Sequence, residues 1–380
     1  MVEKRVLVVD TTLRDGEQMP GVCFPPERKL ELAQRISEFG AGIIEVMPVV
    51  SPAEAETAKR IAAMRLLSEL RAVCRLRKED VEESAACGVD RLLLVAPASD
   101  LHLKVKFGAG REEGLARLLE CVDFAKSYCG KIDVALEDAS RADEGYLCEI
   151  SDALSGKIGL LLFGDSLGVL TPFKTRSLIG KLKGRPKPCK IEFHGHNDFG
   201  LATANTLAAV AAGADAFTAT FLGIGERAGN ASMEEVAVAL KFIEGVDAGL
   251  RLEQIAAICG LVAKSIGIPV PPNKPWAGRN IFTHESGIHA DAVLKDPRTY
   301  EALQPGTVGQ KRRIVFGKTT GRRALDSLLK ENGVRLAPET LLSVKRAVQD
   351  FSVSNNRTLT EREVLGIAGR IYGGMSYGSG

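Results

Sequence analysis

Residues 190–221 read KIEFHGHNDFGLATANTLAAVAAGADAFTATF, and three pieces of this stretch decide how the chain folds. Lys190–Phe193 is a short β-rich run, Leu201–Ala212 is a helical stretch closed by Gly213, and Ala216–Phe221 is a second β-rich run. Strand, helix, strand in that order is a βαβ unit with parallel strands. The alternation continues upstream. Further strands are predicted at Val6–Leu13, Ile43–Val46, Leu70–Cys74, Arg91–Val95, Ile132–Leu136 and Gly159–Phe163. Helices are predicted at Pro26–Phe39, Pro52–Met64, Glu79–Cys87, Glu112–Tyr128, Asp143–Leu154, Thr171–Leu182 and, after the last strand, Met233–Glu244. Gly40, Gly88, Gly130 and Gly213 stand where left-handed caps are preferred. Eight units between residue 5 and about 245 predict an α/β fold of the closed (β/α)8 kind, a TIM barrel, rather than an open doubly wound sheet.

Beyond the eighth unit the pattern changes. Residues 251–267 read as one more helix, and the Pro-rich run Ile268-Pro269-Val270-Pro271-Pro272-Asn273-Lys274-Pro275 reads as a stiff linker. Residues 276–330 mix loops with helix, and 338–371 read as helical. The expected organisation is a catalytic barrel over 1–248, a helix and linker over 249–275, a smaller, mainly helical C-terminal extension over 276–372, and a disordered tail over 373–380.

Composition bounds the partners. Of 380 residues 45% are hydrophobic and 26% charged, the balance of a globular chain with a large core. Lys and Arg total 50 against 48 Asp and Glu, which leaves no net field to draw in nucleic acid or an anionic membrane. Eight cysteines without a CxxC pair, and an opening hydrophobic run broken by Asp10 and Arg14, predict reduced thiols in a cytoplasmic protein.

In a barrel of this kind, functional groups collect where the strands end. The predicted ends carry Arg14-Asp15-Gly16-Glu17-Gln18, Glu45, Arg75, Glu137-Asp138, Asp165-Ser166, His194-Gly195-His196-Asn197-Asp198 and Gly225-Glu226-Arg227-Ala228-Gly229-Asn230. Stability alone has no use for such a ring of polar groups. His194 and His196, two apart on a strand, point to one face and can reach one ion. Strands seven, eight and one are consecutive around a closed ring, so Asp15 and Asn230 join them in a mixed N/O set for a Lewis-acidic divalent ion such as Zn, Mn, Mg, Fe or Co. The plainer reading has His-Gly-His packing a strand end. Arg14, beside Asp15, suits an oxyanion forming on a carbonyl carbon, or a salt bridge to Glu17 or Glu45. Gly223-Ile224-Gly225-Glu226-Arg227-Ala228 matches a dinucleotide-loop pattern, but it follows the last strand instead of the first, and that reading is rejected. His284 and His289 fall close together in the linker-tethered segment, which can fold as a lid over its own or a partner's barrel. A satisfied core or surface histidine is the alternative there, and His102 is assigned a structural or peripheral role.

Taken together, Asp10-Thr11-Thr12-Leu13-Arg14-Asp15-Gly16-Glu17-Gln18, His194-Gly195-His196-Asn197-Asp198 and Gly223–Asn230 resemble the DRE-TIM metallolyases. The match is to the acyl-CoA-condensing branch of isopropylmalate, homocitrate, citramalate and Re-type citrate synthases. His284-Glu285-Ser286-Gly287-Ile288-His289-Ala290-Asp291 and Lys295–Glu301 are similar to the post-barrel segment of homocitrate synthases. The resemblance implies a Claisen condensation of acetyl-CoA with a 2-oxo acid. Asp15, His194 and His196 would be metal ligands, with Asn230 the fourth, and Arg14 would hold the oxo acid. Gln18, Glu45 and Ser166 would line the substrate site, with Glu45 also a candidate base. His289 and Tyr300 would assist enolisation in the partner subunit's site, which implies a homodimer. Cys74-Arg75 and Glu137-Asp138-Ala139-Ser140-Arg141-Ala142-Asp143 resemble the nitrogen-fixation type of homocitrate synthase. Arg75, with Glu137 beside it in the substrate site, would suit the distal carboxylate of 2-oxoglutarate. The alternatives are 2-oxoisovalerate, pyruvate or oxaloacetate. A lyase acting in reverse is disfavoured because the loop after strand eight has no cysteine, and a metal-bound sensor without turnover is disfavoured by the intact Arg14, Asp15 and histidine pair.

Overall fold

The computed structural model describes residues 6–373, so the tail expected to be disordered lies outside the described residues, Gly373 apart. Eight parallel strands close into a barrel: β1 (Leu7–Asp10), β2 (Ile43–Val46), β3 (Glu69–Arg75), β4 (Arg91–Pro97), β5 (Ile132–Glu137), β6 (Leu161–Asp165), β7 (Ile191–Gly195) and β8 (Ala216–Ala219). β8 returns to β1 with Leu7 opposite Ala216 and Asp10 opposite Ala219. The predicted helices lie between the strands within a few residues of expectation, for example Pro26–Phe39, Pro52–Ala63 and Ala202–Ala211. Gly40, Gly88 and Gly213 adopt positive φ; Gly130 does not.

Two strand limits moved for local reasons. β1 was expected to reach Leu13 but stops at Asp10, whose carboxylate accepts the Thr12 amide at 2.9 Å and turns the chain into Gly16–Gln18. β6 was expected from Gly159 and begins at Leu161. A Cβ at residue 159 would stand 2.6 Å from Arg91 Nη2 and 2.7 Å from Asp133 Oδ1, so glycine makes way there for an ion pair.

Alternation along each strand sorts side chains into two cores. Outward residues such as Ala72, Leu92, Leu94, Val134, Phe163 and Phe193 form the large core beneath the surrounding helices. Inward residues stack in layers. Val9, Ile43, Leu160 and Ala216 form the lowest apolar cluster. An ionic layer follows: Arg71, wholly buried, reaches Glu45 at 2.6 Å, Glu192 at 2.6 Å and Asp133 at 3.1 Å, and Arg91 holds Asp133 at 2.6 Å. Two residues further along the strands lie Val73, Leu93, Ala135 and Leu162.

The chain divides into two compact units between Val270 and Pro271, inside the Pro-rich stretch. In the second unit Thr283–His284 pairs with Arg313–Ile314, and Phe316, Leu325, Leu329, Val344, Val348 and Val364 are among its core. The stretch expected to be helical over 338–371 forms two helices, Pro338–Asn355 and Glu361–Tyr372. Asn356 turns left-handed at φ 47°, and Thr360 with Glu363 forms a capping box that starts the second. Among the described residues no helix is long and apolar enough to cross a membrane, and the cysteines are all free.

Candidate active site

The mouth at the C-terminal ends of the strands holds a cavity of about 550 Å³. Its polar side is built by β1, β7 and β8, which the ring closure makes neighbours. Asp15, His194 and His196 are 2%, 6% and 7% exposed, and one ligand atom from each lies within 4.8 Å of the others. His194 Nε2 stands 3.1 Å from His196 Nε2, and these nitrogens lie 3.7 and 3.8 Å from Asp15 Oδ2. Behind them, the Thr218 hydroxyl donates to the Phe193 carbonyl and contacts His194 Nδ1 at 2.7 Å. Nδ1 is thereby engaged by the hydroxyl, and Nε2 is the His194 nitrogen turned toward His196 and Asp15.

Burial pushes His194 down to about 3, with His196 adding to the effect, and burial lowers His196 as well. Burial alone would raise Asp15, but the Arg14 guanidinium overrides it, aided by the imidazoles and the Asn230 amide, and holds the carboxyl below the usual range. Two neutral imidazoles and a carboxylate therefore converge. Asn230 donates Nδ2 to Asp15 Oδ1 at 2.8 Å, while its Oδ1 is buried with no hydrogen-bond partner. An orphaned amide oxygen beside converging lone pairs is what a divalent ion would satisfy, so the residues fit a metal.

Crowding fixes the loop that delivers Asn230. A Cβ at Gly229 would stand 1.9 Å from the Gly223 carbonyl oxygen. At Gly225, whose φ is +153°, it would stand 2.1 Å from Asn230 Nδ2 and 2.7 Å from Asp15 Oδ1. Gly225, part of the run that mimics a nucleotide loop, thus clears space beside the Asp15 carboxylate, and Gly229 makes room for the loop's own backbone.

The other expected site residues separate into several groups. Arg14 donates to Asp15 at 2.6 Å and to Glu45 at 2.8 Å and lines the cavity, whereas Glu17 pairs with Lys29. Gln18, Arg75, Glu137 and Ser166 also line it. Ser166 accepts the Asp138 amide at 2.8 Å, and both Glu137 oxygens take Lys106 at 2.6 Å. Glu45 needs correction as a base. It is fully buried, engaged by Thr11, Arg14 and Arg71, and held at about 2 because the two guanidiniums outweigh the burial that would raise it. A carboxylate so engaged is an anchor for Arg14, with no basicity to offer. Arg75 also differs from expectation. Its guanidinium makes a two-point contact with Asp80 at 2.7 and 2.8 Å, its side chain is 54% exposed, and neither Glu45 nor Glu137 is its partner.

Of the ring of charge, Asp165 accepts the Val169 and Leu170 amides, and Asp138 holds Ser99 and Arg141, so these shape loops. His102 lies in the cavity wall, 3.7 Å from both Glu137 and Asp138. Sequence reasoning missed Lys106 and the role of Arg227, which lines the cavity at φ 56° while binding Asp198 and the Ser166 carbonyl. Lys106 follows its strand by nine residues, beyond the stretch read as a strand end. In the second unit, His284 is tied to Glu301 at 3.2 Å, whereas His289 and Tyr300 face each other with ring centroids 4.2 Å apart.

Comparison with known proteins follows the same division. Residues 5–262 match the family model described as HMGL-like, and residues 277–356 match one described as homocitrate synthase post-HMGL domain-like. A probable 2-isopropylmalate synthase of Ignicoccus hospitalis is 43% identical over 90% of this chain and 86% of its own. Homocitrate synthase 1 of a Nostoc species is 40% identical over 96% and 97%. The (R)-citramalate synthase of Methanocaldococcus jannaschii is 38% identical over 97% and 75%. Among solved structures, an HMG-CoA lyase from Acinetobacter baumannii superposes with a TM-score of 0.64 at 20% identity, covering 74% of this chain and 97% of its own, a likeness of fold.

Proposed function

Because the chain belongs to the HMGL-like family, we propose that it is an acyltransferase that joins acetyl-CoA to a 2-oxo acid in a Claisen condensation and releases CoA. The observation that carries the reading is the buried Asp15, His194 and His196 group with Arg14 locked beside it. Three relatives of similar identity bear the names of synthases, which supports condensation over cleavage.

Asp15 Oδ2 and the Nε2 atoms of His194 and His196 would hold a divalent ion, with Asn230 Oδ1 the fourth protein ligand. When bound, such an ion supplies Lewis-acid polarisation of a chelated 2-oxo carbonyl. The chain's own residues do the rest. Arg14, fixed on two carboxylates, presents a guanidinium to the carbonyl oxygen as negative charge develops there. A base removes a methyl proton from acetyl-CoA, the resulting enol carbon bonds to C2 of the oxo acid, and the alkoxide takes up a proton. Hydrolysis of the thioester then frees CoA and makes the reaction irreversible. With Glu45 tied down, His289 and Tyr300 are the proton-transfer pair in this reading. They would act in the site of a partner subunit, which makes the enzyme a homodimer. The homocitrate reading, with 2-oxoglutarate as acceptor, keeps the support of Cys74-Arg75 and the Glu137–Asp143 motif, but Arg75 brings it an already paired guanidinium.

The test is thiol release from acetyl-CoA with 2-oxoglutarate, oxaloacetate, 2-oxoisovalerate and pyruvate, with and without a chelator. The expected outcome is release with at least one acid, lost on chelation and restored by a divalent ion. No release with any of them would end the proposal.

A further inference from the structure

Across the cavity from Asp15, His194 and His196, the barrel presents Met47, Val73, Leu93, Val95, Ala135 and Leu162. Val73, Leu93, Val95 and Ala135 come from β3, β4 and β5, which stand opposite β7, β8 and β1 in the ring, and Met47 and Leu162 flank them from the end of β2 and from β6. An oxo acid held at C1 and C2 by the metal ligands and Arg14 must direct its remaining carbons away from them. What those carbons meet is an aliphatic wall.

No cation stands among those aliphatic side chains, and the cations that line the cavity lie outside them. Arg71 lies one inward step below Val73 but is enclosed by Glu45, Asp133 and Glu192, and the aliphatic layer covers it. At the rim, Arg75 is held by Asp80, Lys106 by both oxygens of Glu137, and Arg227 by Asp198. Arg77 is exposed there. A distal carboxylate placed against this wall would lose water and find no buried counter-ion, Arg77 being exposed to solvent outside the aliphatic layer, and the penalty is worth several powers of ten in binding when uncompensated. An alkyl group placed there gains from each methylene it buries.

Resting on the condensation reading, we infer that the acceptor is a 2-oxo acid with an uncharged aliphatic side chain, not a dicarboxylic one. The experiment is kcat/KM on the metal-loaded enzyme for pyruvate, 2-oxobutyrate and 2-oxoisovalerate against oxaloacetate and 2-oxoglutarate. The best alkyl acid should exceed the best dicarboxylic acid by on the order of 100-fold or more. A ratio below about ten, or a reversed one, overturns the inference while leaving condensation intact. Release with no acid overturns both. Val95, partly exposed on the wall, gives an independent check. In a Val95→Arg variant with an unchanged melting temperature, the alkyl-to-dicarboxylic ratio should fall by about 10-fold or more as a counter-ion is supplied. An unchanged ratio in that folded variant places the side-chain recess elsewhere and also overturns the inference.

Discussion

His194 and His196 are buried at the cavity wall, with Thr218 engaging one ring and Asp15 facing both, whereas His289 and Tyr300 are exposed and face each other. Tyr300 is 49% exposed, His289 is exposed, and neither side chain makes a hydrogen bond among the described residues. The first pair came out of the sequence as two histidines on one strand face, the second from the resemblance of the post-barrel segment to homocitrate synthases. Their surroundings show that a histidine motif can be built in two ways. The barrel pair is preorganised by its own unit, with geometry and charge state set by packing. The second pair has chemistry without a frame, as expected of groups that become useful against another surface.

The largest expected effect tests the buried pair. His196→Ala removes one of four proposed ligands and should abolish turnover while the barrel stays folded, with bound metal lost in elemental analysis of the purified variant. Full activity in that variant, or in wild type after chelation and dialysis, would break the comparison at its stronger end. Next come His289→Ala and Tyr300→Phe. Each should lower kcat by ~10²–10⁴-fold with metal content unchanged, since proton transfer is what they are assigned. Mixing inactive His289→Ala with inactive His196→Ala protomers should restore activity if the exposed pair serves a partner. No recovery in a mixture shown to exchange subunits would tell against a shared site.

A smaller effect sharpens what burial means. Thr218→Val keeps the shape but removes the hydroxyl that engages His194 Nδ1, and metal affinity should fall by ~10–100-fold in a titration. The smallest concerns Arg75. Because Asp80 holds it and solvent screens the pair, Arg75→Leu should change kcat/KM by no more than ~5-fold on any acid, the range of an exposed ion pair worth at most about 1 kcal/mol. A selective collapse on 2-oxoglutarate alone would return Arg75 to the role its sequence position suggested.

These outcomes follow the line between what the residues announced and what they did not. Strand and helix periods are local, so the eight units could be counted, and ring closure then put Asp15 beside His194 and His196 without a coordinate. The ionic layer was invisible because Arg71 in Leu70–Cys74 reads as an interruption. Its three carboxylates come from β2, β5 and β7, up to 121 residues away. The Arg75 ion pair was hidden for the opposite reason. Its partner is five residues on, within the next helix, and only the turn between them brings Asp80 back onto the guanidinium. Glu45 had the right position for a base, but basicity depends on neighbours, and the guanidiniums of Arg14 and Arg71 lower it.

The crowding at Gly225 and Gly229 also bears on how such chains are searched and evolved. In a codon-randomised library over residues 223–230, both positions should return glycine under any selection that needs a folded loop, whatever ligand is offered. Gly225 is thus a record of steric exclusion next to a carboxylate, and Gly229 of exclusion by the loop's own backbone. Searches that score this glycine pattern as a dinucleotide signature will keep collecting barrels that have none.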